Sequence, residues 1–318
     1  MEEITRINDT GILRDKIANN EPCIFNVNDA LKLEFQKTWT IDYLLEKIGD
    51  LPVLVRSTPT KKYIDPDEKF WGVVRAMLLD KMTFEKFIET GVPEGKIMSG
   101  TDTYIYCNGK VVDRWRKLWE DVKVILKKSE IVDKNQKGLS NFFETTHLNT
   151  IGLWVSGTGV KSILHYDSSG DNNLNFQIRG KKNVILFPPS DWPYLKTFLA
   201  MGLHGFDSYK ELYNKDKNSN SIKFQHTNPV LAKLVEGDVL FIPSNWYHYV
   251  EHIGACNINI TCWFNKSDMN KNGSSKRKVT GQSNRNFFLV LRFICASIIA
   301  LILNLIWKTT GIRILKKS

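Results

Sequence analysis

The sequence is poor in cysteine, and its few cysteines follow no pattern. Its 318 residues contain 5 cysteines, at Cys23, Cys107, Cys256, Cys262 and Cys295. Scattered cysteines in an odd number predict neither a disulfide framework nor a zinc site built on C-x-x-C pairs, and they are typical of a reducing compartment. The opening residues MEEITRINDTGILRDK also lack an apolar run, so no secretory signal is expected.

Acidic residues are almost missing from the last part of the chain. Beyond residue 265 there are eleven lysines and arginines against one acid, Asp268, and this accounts for the net charge of +10. The first 265 residues hold 33 bases and 33 acids. A neutral body is unfavourable for binding nucleic acid through a broad basic face, although a local patch could exist within a neutral total.

Two motifs carry the chemistry. One is His165-Tyr166-Asp167, and the other is the run GDVLFIPSNWYHYVEHI, which contains His248. Residues two apart on a strand point to the same face, so His165 and Asp167 are expected to lie together. Two imidazoles and one carboxylate are the ligands of a facial triad, which holds divalent iron and leaves other positions open. The alternative is that the histidines are ordinary buried residues.

A lysine follows the first motif. Residues 175–189 alternate and then run apolar, which predicts a pair of strands with Gly180 at the turn and Lys182 on the second strand. An ammonium facing the pocket there could bind the far carboxylate of a diacid that chelates the metal with its other end. The surplus histidines His204 and His226 are predicted not to be ligands, and His252 is predicted to point out of register towards solvent.

Residues 162–264 resemble the JmjC, cupin-like group of Fe(II)- and 2-oxoglutarate-dependent oxygenases. The resemblance is strongest to small stand-alone hydroxylases, among them an asparaginyl hydroxylase and the hydroxylase of tRNA wybutosine synthesis. The family's H-x-D, Q-[IV]-x-G-x-K and G-D-V-L-x-[IV]-P-x-x-W-[WFY]-H runs correspond here to residues 165–167, 177–182 and 237–248.

This resemblance implies a fold, a ligand set and a co-substrate. The fold would be mainly β, a double-stranded β-helix or jelly roll of about eight strands with helices packed outside it. His165, Asp167 and His248 would bind Fe(II), and Lys182 would bind the tail of 2-oxoglutarate. Further contacts to the co-substrate are implied for Ser162, Tyr104, Asn173 and Asn175. With dioxygen, the reaction would release succinate and carbon dioxide.

Regular structure outside the motifs is predicted from local signals. These predict a helix over residues 2–19, a strand over 22–27, a helix capped by Thr40 that ends at Gly49, and a second helix that starts at Thr83 and ends at Gly91. A strand is predicted over 103–107 and a helical region over 111–128. Residues 1–150 are expected to form an N-terminal region packed on the catalytic core, residues 151–265.

The tail predicts a membrane anchor. Residues 266–286 read as a basic flexible linker and residues 308–318 as a short basic end. Between them, residues 287–307 form an apolar run whose helix would be about 30 Å long, one hydrocarbon thickness. We expect a tail anchor in the endoplasmic reticulum or mitochondrial outer membrane, with the catalytic body in the cytosol. The alternatives are a C-terminal helix that closes a homodimer, and a soluble cytoplasmic or nuclear protein.

Three functions are compatible with these features. A dioxygenase that hydroxylates a protein side chain is favoured. A hydroxylase of a tRNA or other nucleic-acid base is the second interpretation, which the neutral body disfavours. The third is a binding module that keeps the fold without catalysis, and the intact triad with Lys182 argues against it.

Overall fold

The computed structural model describes most of residues 151–265 and parts of the regions on either side. The described residues are 1–8, 10–26, 35–56, 79–98, 118, 151–167, 172–195, 226–264 and ten positions between 295 and 310. The predicted strand at 103–107 lies outside them, as does the predicted helix at 111–128 apart from Leu118, which is helical and buried.

The described chain is mainly β. Its strands, in chain order, are β1 (Glu2–Glu3), β2 (Cys23–Asn26), β3 (Pro52–Arg56), β4 (Asp80–Thr83), β5 (Ile97–Met98), β6 (Ile151–Gly157), β7 (Lys161–His165), β8 (Asn172–Phe187), β9 (Val230–Leu234), β10 (Asp238–Ile242) and β11 (Tyr247–Phe264). They join in one large mixed sheet with the path β1-β9-β8-β11-β6-β5-β3-β4. Off this path, β10 pairs with β2 and β8, and β7 pairs with β11.

Short helices lie between the first five strands. They are α1 (Thr10–Asn19), α2 (Phe35–Thr38), α3 (Ile41–Ile48) and α4 (Phe84–Lys86), and α4 continues as a π-helical turn over Phe87–Gly91. The Thr40 hydroxyl accepts a hydrogen bond from the Tyr43 amide, and Thr83 accepts one from the Lys86 amide. Both threonines therefore cap their helices as the sequence predicts. The predicted helix over 2–19 is wrong in its first part, because Glu2–Glu3 pairs in parallel with β9.

Strands β8 and β11 pair with each other over most of their length. The pairing extends from Tyr247 opposite Phe187 to Phe264 opposite Asn172, with shifts of register between Ile253 and Asn259. Gly180, with φ +79°, and Gly254, with φ +99°, lie in this irregular region. The prediction of two strands with a turn at Gly180 is therefore corrected, since β8 is one strand that continues through Gly180 and pairs with β11 on both sides of it.

The two faces of this sheet have different partners. Leu174 and Phe176 of β8 belong to a large core cluster, which also includes Ile17 of α1 and Leu44 of α3. Ile242 of β10 belongs to a second, smaller cluster on the other face. Because side chains alternate along a strand, Asn173 and Asn175 share the face of the smaller cluster, opposite Ile242 and Leu240 respectively. That face is part apolar and part polar, and the polar part contains the candidate site.

The tail is described only at scattered positions. Those between 295 and 310 are helical, and the large apolar side chains of Ile298, Leu301, Ile302 and Leu305 are exposed. Among the described residues, no helix has the length and apolar character needed to cross a membrane. Much of the predicted anchor lies outside the described residues, so the anchor stays a prediction.

Candidate metal centre

Three side chains converge at the end of β7. His165, Asp167 and His248 each offer one ligand atom, and these atoms all lie within 4.8 Å of one another. His165 ends β7 and lies opposite His248 on β11, with the two ring centroids 4.2 Å apart. His248 is buried, while His165 and Asp167 are partly exposed. The structure therefore brings together the three residues that the motifs select.

An irregular pairing of β7 with β11 sets which residues face the site. The register passes from Ser162 opposite Val250 to His165 opposite His248, so three residues of β7 are matched by two of β11. The extra residue is a bulge, and a bulge changes the face to which the following side chains point. Ser162 and His165 can therefore share a face, although simple alternation would separate them.

A backbone carbonyl selects the tautomer of His248. Its Nδ1 lies 3.2 Å from the carbonyl oxygen of Trp246. A carbonyl oxygen can only accept, so Nδ1 carries the hydrogen and donates it. This leaves the lone pair on Nε2 for a metal, which is the usual arrangement of a metal-binding histidine.

Asp167 is positioned by side chains rather than by a strand ladder. It lies two residues beyond the end of β7, so the expectation that strand spacing alone orients it is incomplete. Its Oδ2 accepts hydrogen bonds from Asn173 Nδ2 at 3.0 Å and from Trp263 Nε1 at 2.9 Å. Oδ1 is the oxygen left for a metal.

Lys182 is a buried cation with a neutral partner. Its side chain is 2% exposed, and its Nζ donates to Asn175 Oδ1 at 2.7 Å. In the described part of the chain no ion pair involves Lys182. Burial lowers the pKa of the ammonium from 10.5 to about 7, because water no longer solvates the charged form. The site is therefore suited to an anion that would restore the charge balance.

His252 lies beside Lys182, contrary to the prediction. It is 4% exposed and is the register partner of Lys182 on β11, and its Nδ1 is 2.9 Å from Ser156 Oγ. Burial first, and the charge of Lys182 second, lower the pKa of its imidazole to about 3. The imidazole is therefore neutral at physiological pH. Alternation from His248 through Val250 places His252 on the ligand-bearing face, and this signal was available in the sequence.

The remaining predicted contacts divide into three groups. Asn173 bonds Asp167 of the triad, and Asn175 bonds Lys182, so both contact residues of the candidate site. Ser162 lies on β7 and is partly exposed. Tyr104 and His204 lie outside the described residues. His226 is not one of the three clustered residues, and its ring lies 5.4 Å from that of Tyr194.

The donor set fits divalent iron. Two neutral imidazoles and one carboxylate are the ligands that iron of this kind takes on one side, with positions left open on the other. Asn173 Oδ1 is buried and has no hydrogen-bond partner among the described residues. A buried acceptor without a partner is costly, so a donor such as a water molecule at the centre would be favourable beside it.

This sheet with a His-Asp-His centre defines a JmjC-like cupin. The sequence model of the Cupin-like domain matches residues 10–270, most of the chain, and the chain belongs to that family.

Curated relatives are similar over shorter stretches. The chain is 35% identical over 112 residues to HSPB1-associated protein 1 of Rattus norvegicus and, to the same degree, to that of Homo sapiens. This covers 35% of the chain and 23% or 22% of those proteins. It is 32% identical over 145 residues to tRNA wybutosine-synthesizing protein 4 of Aspergillus oryzae, covering 46% of the chain and 13% of that protein. The match thus spans less than a quarter of each of these relatives.

Proposed function

We propose that this chain is a dioxygenase that uses Fe(II) and 2-oxoglutarate to hydroxylate a protein side chain, releasing succinate and carbon dioxide. The observation that carries the proposal is a convergent His-Asp-His triad together with a buried lysine on the neighbouring strand β8 that has no acidic partner in the described residues. The triad accounts for a metal, and the lysine accounts for the anionic end of a diacid.

The placement of Lys182 along the sheet supports this division of roles. Its register partner His252 lies four residues from His248 on β11, about 13 Å along an extended strand. The ammonium and the triad are therefore separated along the sheet, as a small diacid that contacts both of them would require. Bound iron would supply the activation of dioxygen and the decarboxylation of the co-substrate, and the chain's residues would bind and orient the diacid.

A protein substrate is favoured by the charge of the body. The first 265 residues carry equal numbers of acidic and basic side chains, which gives no general attraction for a polyanion. The name of the relative HSPB1-associated protein 1 also records an association with a protein. We therefore place a side chain of a protein partner at the open side of the metal centre.

A tRNA base is the second candidate substrate. Its support is the similarity to tRNA wybutosine-synthesizing protein 4, although the chain spans 13% of that relative. The two candidates differ in what stimulates turnover. Release of labelled carbon dioxide from 2-oxoglutarate by the full-length chain should rise with a cellular protein fraction and be insensitive to ribonuclease. Stimulation that ribonuclease removes would favour the tRNA base instead.

The central test is the visible charge-transfer absorption of Fe(II) with 2-oxoglutarate under nitrogen. We expect the full-length chain to show this band and His165→Ala to lose it. Lys182→Ala should need at least about tenfold more 2-oxoglutarate to reach the same absorbance, because it lacks the charged partner of the far carboxylate.

Lys181→Ala is the matched control, since Lys181 is the exposed neighbour of Lys182 on the same strand. It should saturate with 2-oxoglutarate as the unchanged chain does. A folded chain that shows no band at any concentration would contradict the proposal and would favour the binding module without catalysis. Equal 2-oxoglutarate dependence in the Lys181 and Lys182 variants would remove Lys182 from the site.

We further propose that residues 287–307 anchor the chain in a membrane, with the catalytic body in the cytosol. Four large apolar side chains at the described positions of this segment are exposed to solvent, Ile298, Leu301, Ile302 and Leu305, and they support an apolar environment for it. A second copy of the helix in a homodimer is the alternative partner of these side chains.

A further inference from the structure

One oxygen of Asp167 is fully engaged by the protein. Oδ2 accepts from Asn173 Nδ2 at 3.0 Å and from Trp263 Nε1 at 2.9 Å. An ionised carboxylate has about four acceptor positions on its two oxygens, so two donors fill those of Oδ2. The amide orientation of Asn173 is determined, because its carbonyl oxygen could not face a carboxylate.

The two donors come from neighbouring strands and act as one unit. Asn173 on β8 and Trp263 on β11 are register partners, so their side chains stand next to each other on the same face of the sheet. Asn173 is 3% exposed and lies between β10 and β11, with Ile242 opposite on one side and Trp263 on the other. Asp167 reaches this pair from the end of β7, as the one carboxylate of the triad.

We propose that Asn173 and Trp263 are positioning residues that restrict Asp167 to binding the metal through Oδ1 alone. A carboxylate that bound through both oxygens would occupy one more position on the metal. Once a chelating co-substrate is bound, no position would then remain for dioxygen. The pair thus preserves the open position on which the proposed function rests, and this inference depends on that function only for the presence of a metal.

The test measures metal binding without turnover. Mn(II) alone is titrated into the full-length chain and followed by the electron paramagnetic resonance of the free ion. Trp263→Phe keeps the ring but lacks the N–H, and Asn173→Leu keeps the size but lacks the amide. Each should weaken Mn(II) binding by about tenfold, as loss of a group that orients a metal ligand does. The double variant should lose less than the product of the two, because both donors act on one oxygen.

Trp154→Phe is the matched control. Its indole N–H bonds Thr261 Oγ1 on the adjacent strand and does not bond Asp167, so Mn(II) binding should be unchanged. The visible spectrum of bound Co(II) should change in the Trp263 and Asn173 variants and should stay the same in Trp154→Phe. Such a spectral change reports a change in metal coordination, which a purely structural role would not produce.

The outcomes separate this inference from the proposed function. Mn(II) affinity and a Co(II) spectrum equal to those of the unchanged chain in both variants would overturn the positioning role while leaving the metal centre in place. A wild-type chain that binds neither ion would overturn both. If Trp263→Phe does not give a cooperative thermal transition, the folded Asn173→Leu variant decides the question.

Discussion

Lys182 should give the stability of the folded chain and its affinity for an anion opposite dependences on pH. Burial lowers the pKa of its ammonium from 10.5 to about 7. Between these values the unfolded chain binds more protons than the folded chain, so the folded state gains stability as pH rises from about 7 to about 10.5. An anion bound at Lys182 favours the charged form, and its affinity should therefore fall over the same range.

Replacing this charge should stabilise the protein in the absence of ligand. We expect Lys182→Met to raise the free energy of unfolding at pH 7 by about 1–3 kcal/mol, since a buried ammonium without an acidic partner is replaced by an apolar side chain of similar length. The gain should shrink towards pH 10. Urea unfolding at pH 7 and at pH 10 measures both effects, with Lys181→Met as the exposed control. A Lys182→Met chain that is less stable at pH 7 would contradict this, and would mean that the hydrogen bond to Asn175 contributes more than burial of the ammonium costs.

At the scale of single residues, the members of the convergent triad were predictable from the sequence, and the side chains that hydrogen-bond them were not. His165 and Asp167 are two apart, and His248 follows a Gly-Asp-Val-Leu run, so local spacing selects the triad. The bond from Trp263 to Asp167 joins positions 96 residues apart and depends on the register of β11. No local pattern in the sequence determines that register.

At the scale of elements, the requirement for glycine at position 180, in the middle of strand β8, can be tested directly. Gly180 has φ +79°, and a Cβ there would lie 2.5 Å from the Cys256 carbonyl oxygen and 2.7 Å from Asn257 Oδ1. Gly254 on β11 has φ +99° and open space around the same position. The first glycine is required by conformation and by close approach, whereas the second is required by conformation alone.

Two alanine variants separate these requirements. Gly254→Ala should cost about 1–2 kcal/mol of unfolding free energy, from the backbone conformation alone. Gly180→Ala should cost more, because backbone and an amide must also move, and it should weaken 2-oxoglutarate binding through Lys182, two residues away. Denaturant unfolding and the charge-transfer titration measure the two effects. Equal losses in both variants would mean that the contact at Gly180 relaxes without cost.

At the scale of elements, prediction succeeded where the signal is local. Thr40 and Thr83 cap their helices through a bond to the amide three residues on, a contact that the sequence order itself brings together. Gly180 is also a local signal, but a glycine is compatible with a turn between two strands or with an irregular point inside one strand. The residues on both sides of Gly180 pair with the single strand β11, so β8 is one strand. That pairing is not local in the sequence.

At the scale of the whole molecule, the tail determines where the proposed chemistry would take place. We expect the full-length chain to stay in the membrane pellet of cells after carbonate extraction. Leu301→Glu with Ile302→Glu should release it, because a charged side chain inside a membrane span is unfavourable, by about 2.5–3.5 kcal/mol at the centre of the span.

Asn286→Glu, in the predicted linker, is the control and should stay in the pellet. If the unchanged chain is extracted as a dimer and the double variant is a monomer by sedimentation, the segment is a dimer helix. An unchanged chain that is extracted as a monomer would contradict both interpretations of the tail.

The pairing of Arg6 with Asp238 joins the first and last parts of the sheet, so it can form only late in translation. Asp238 is fully buried, and its carboxylate is bonded by the Arg6 guanidinium, 232 positions earlier, and by the Asn26 amide, 212 positions earlier. During translation, at about 5–20 residues per second, these early groups wait on the order of 10–50 s for their partner to leave the ribosome. Strands β1 and β2 pair with β9 and β10, so they too await late strands. During that interval the backbone groups of β1 and β2 have no strand partner and could pair with another chain. We therefore expect a chaperone to be needed most at this stage of synthesis.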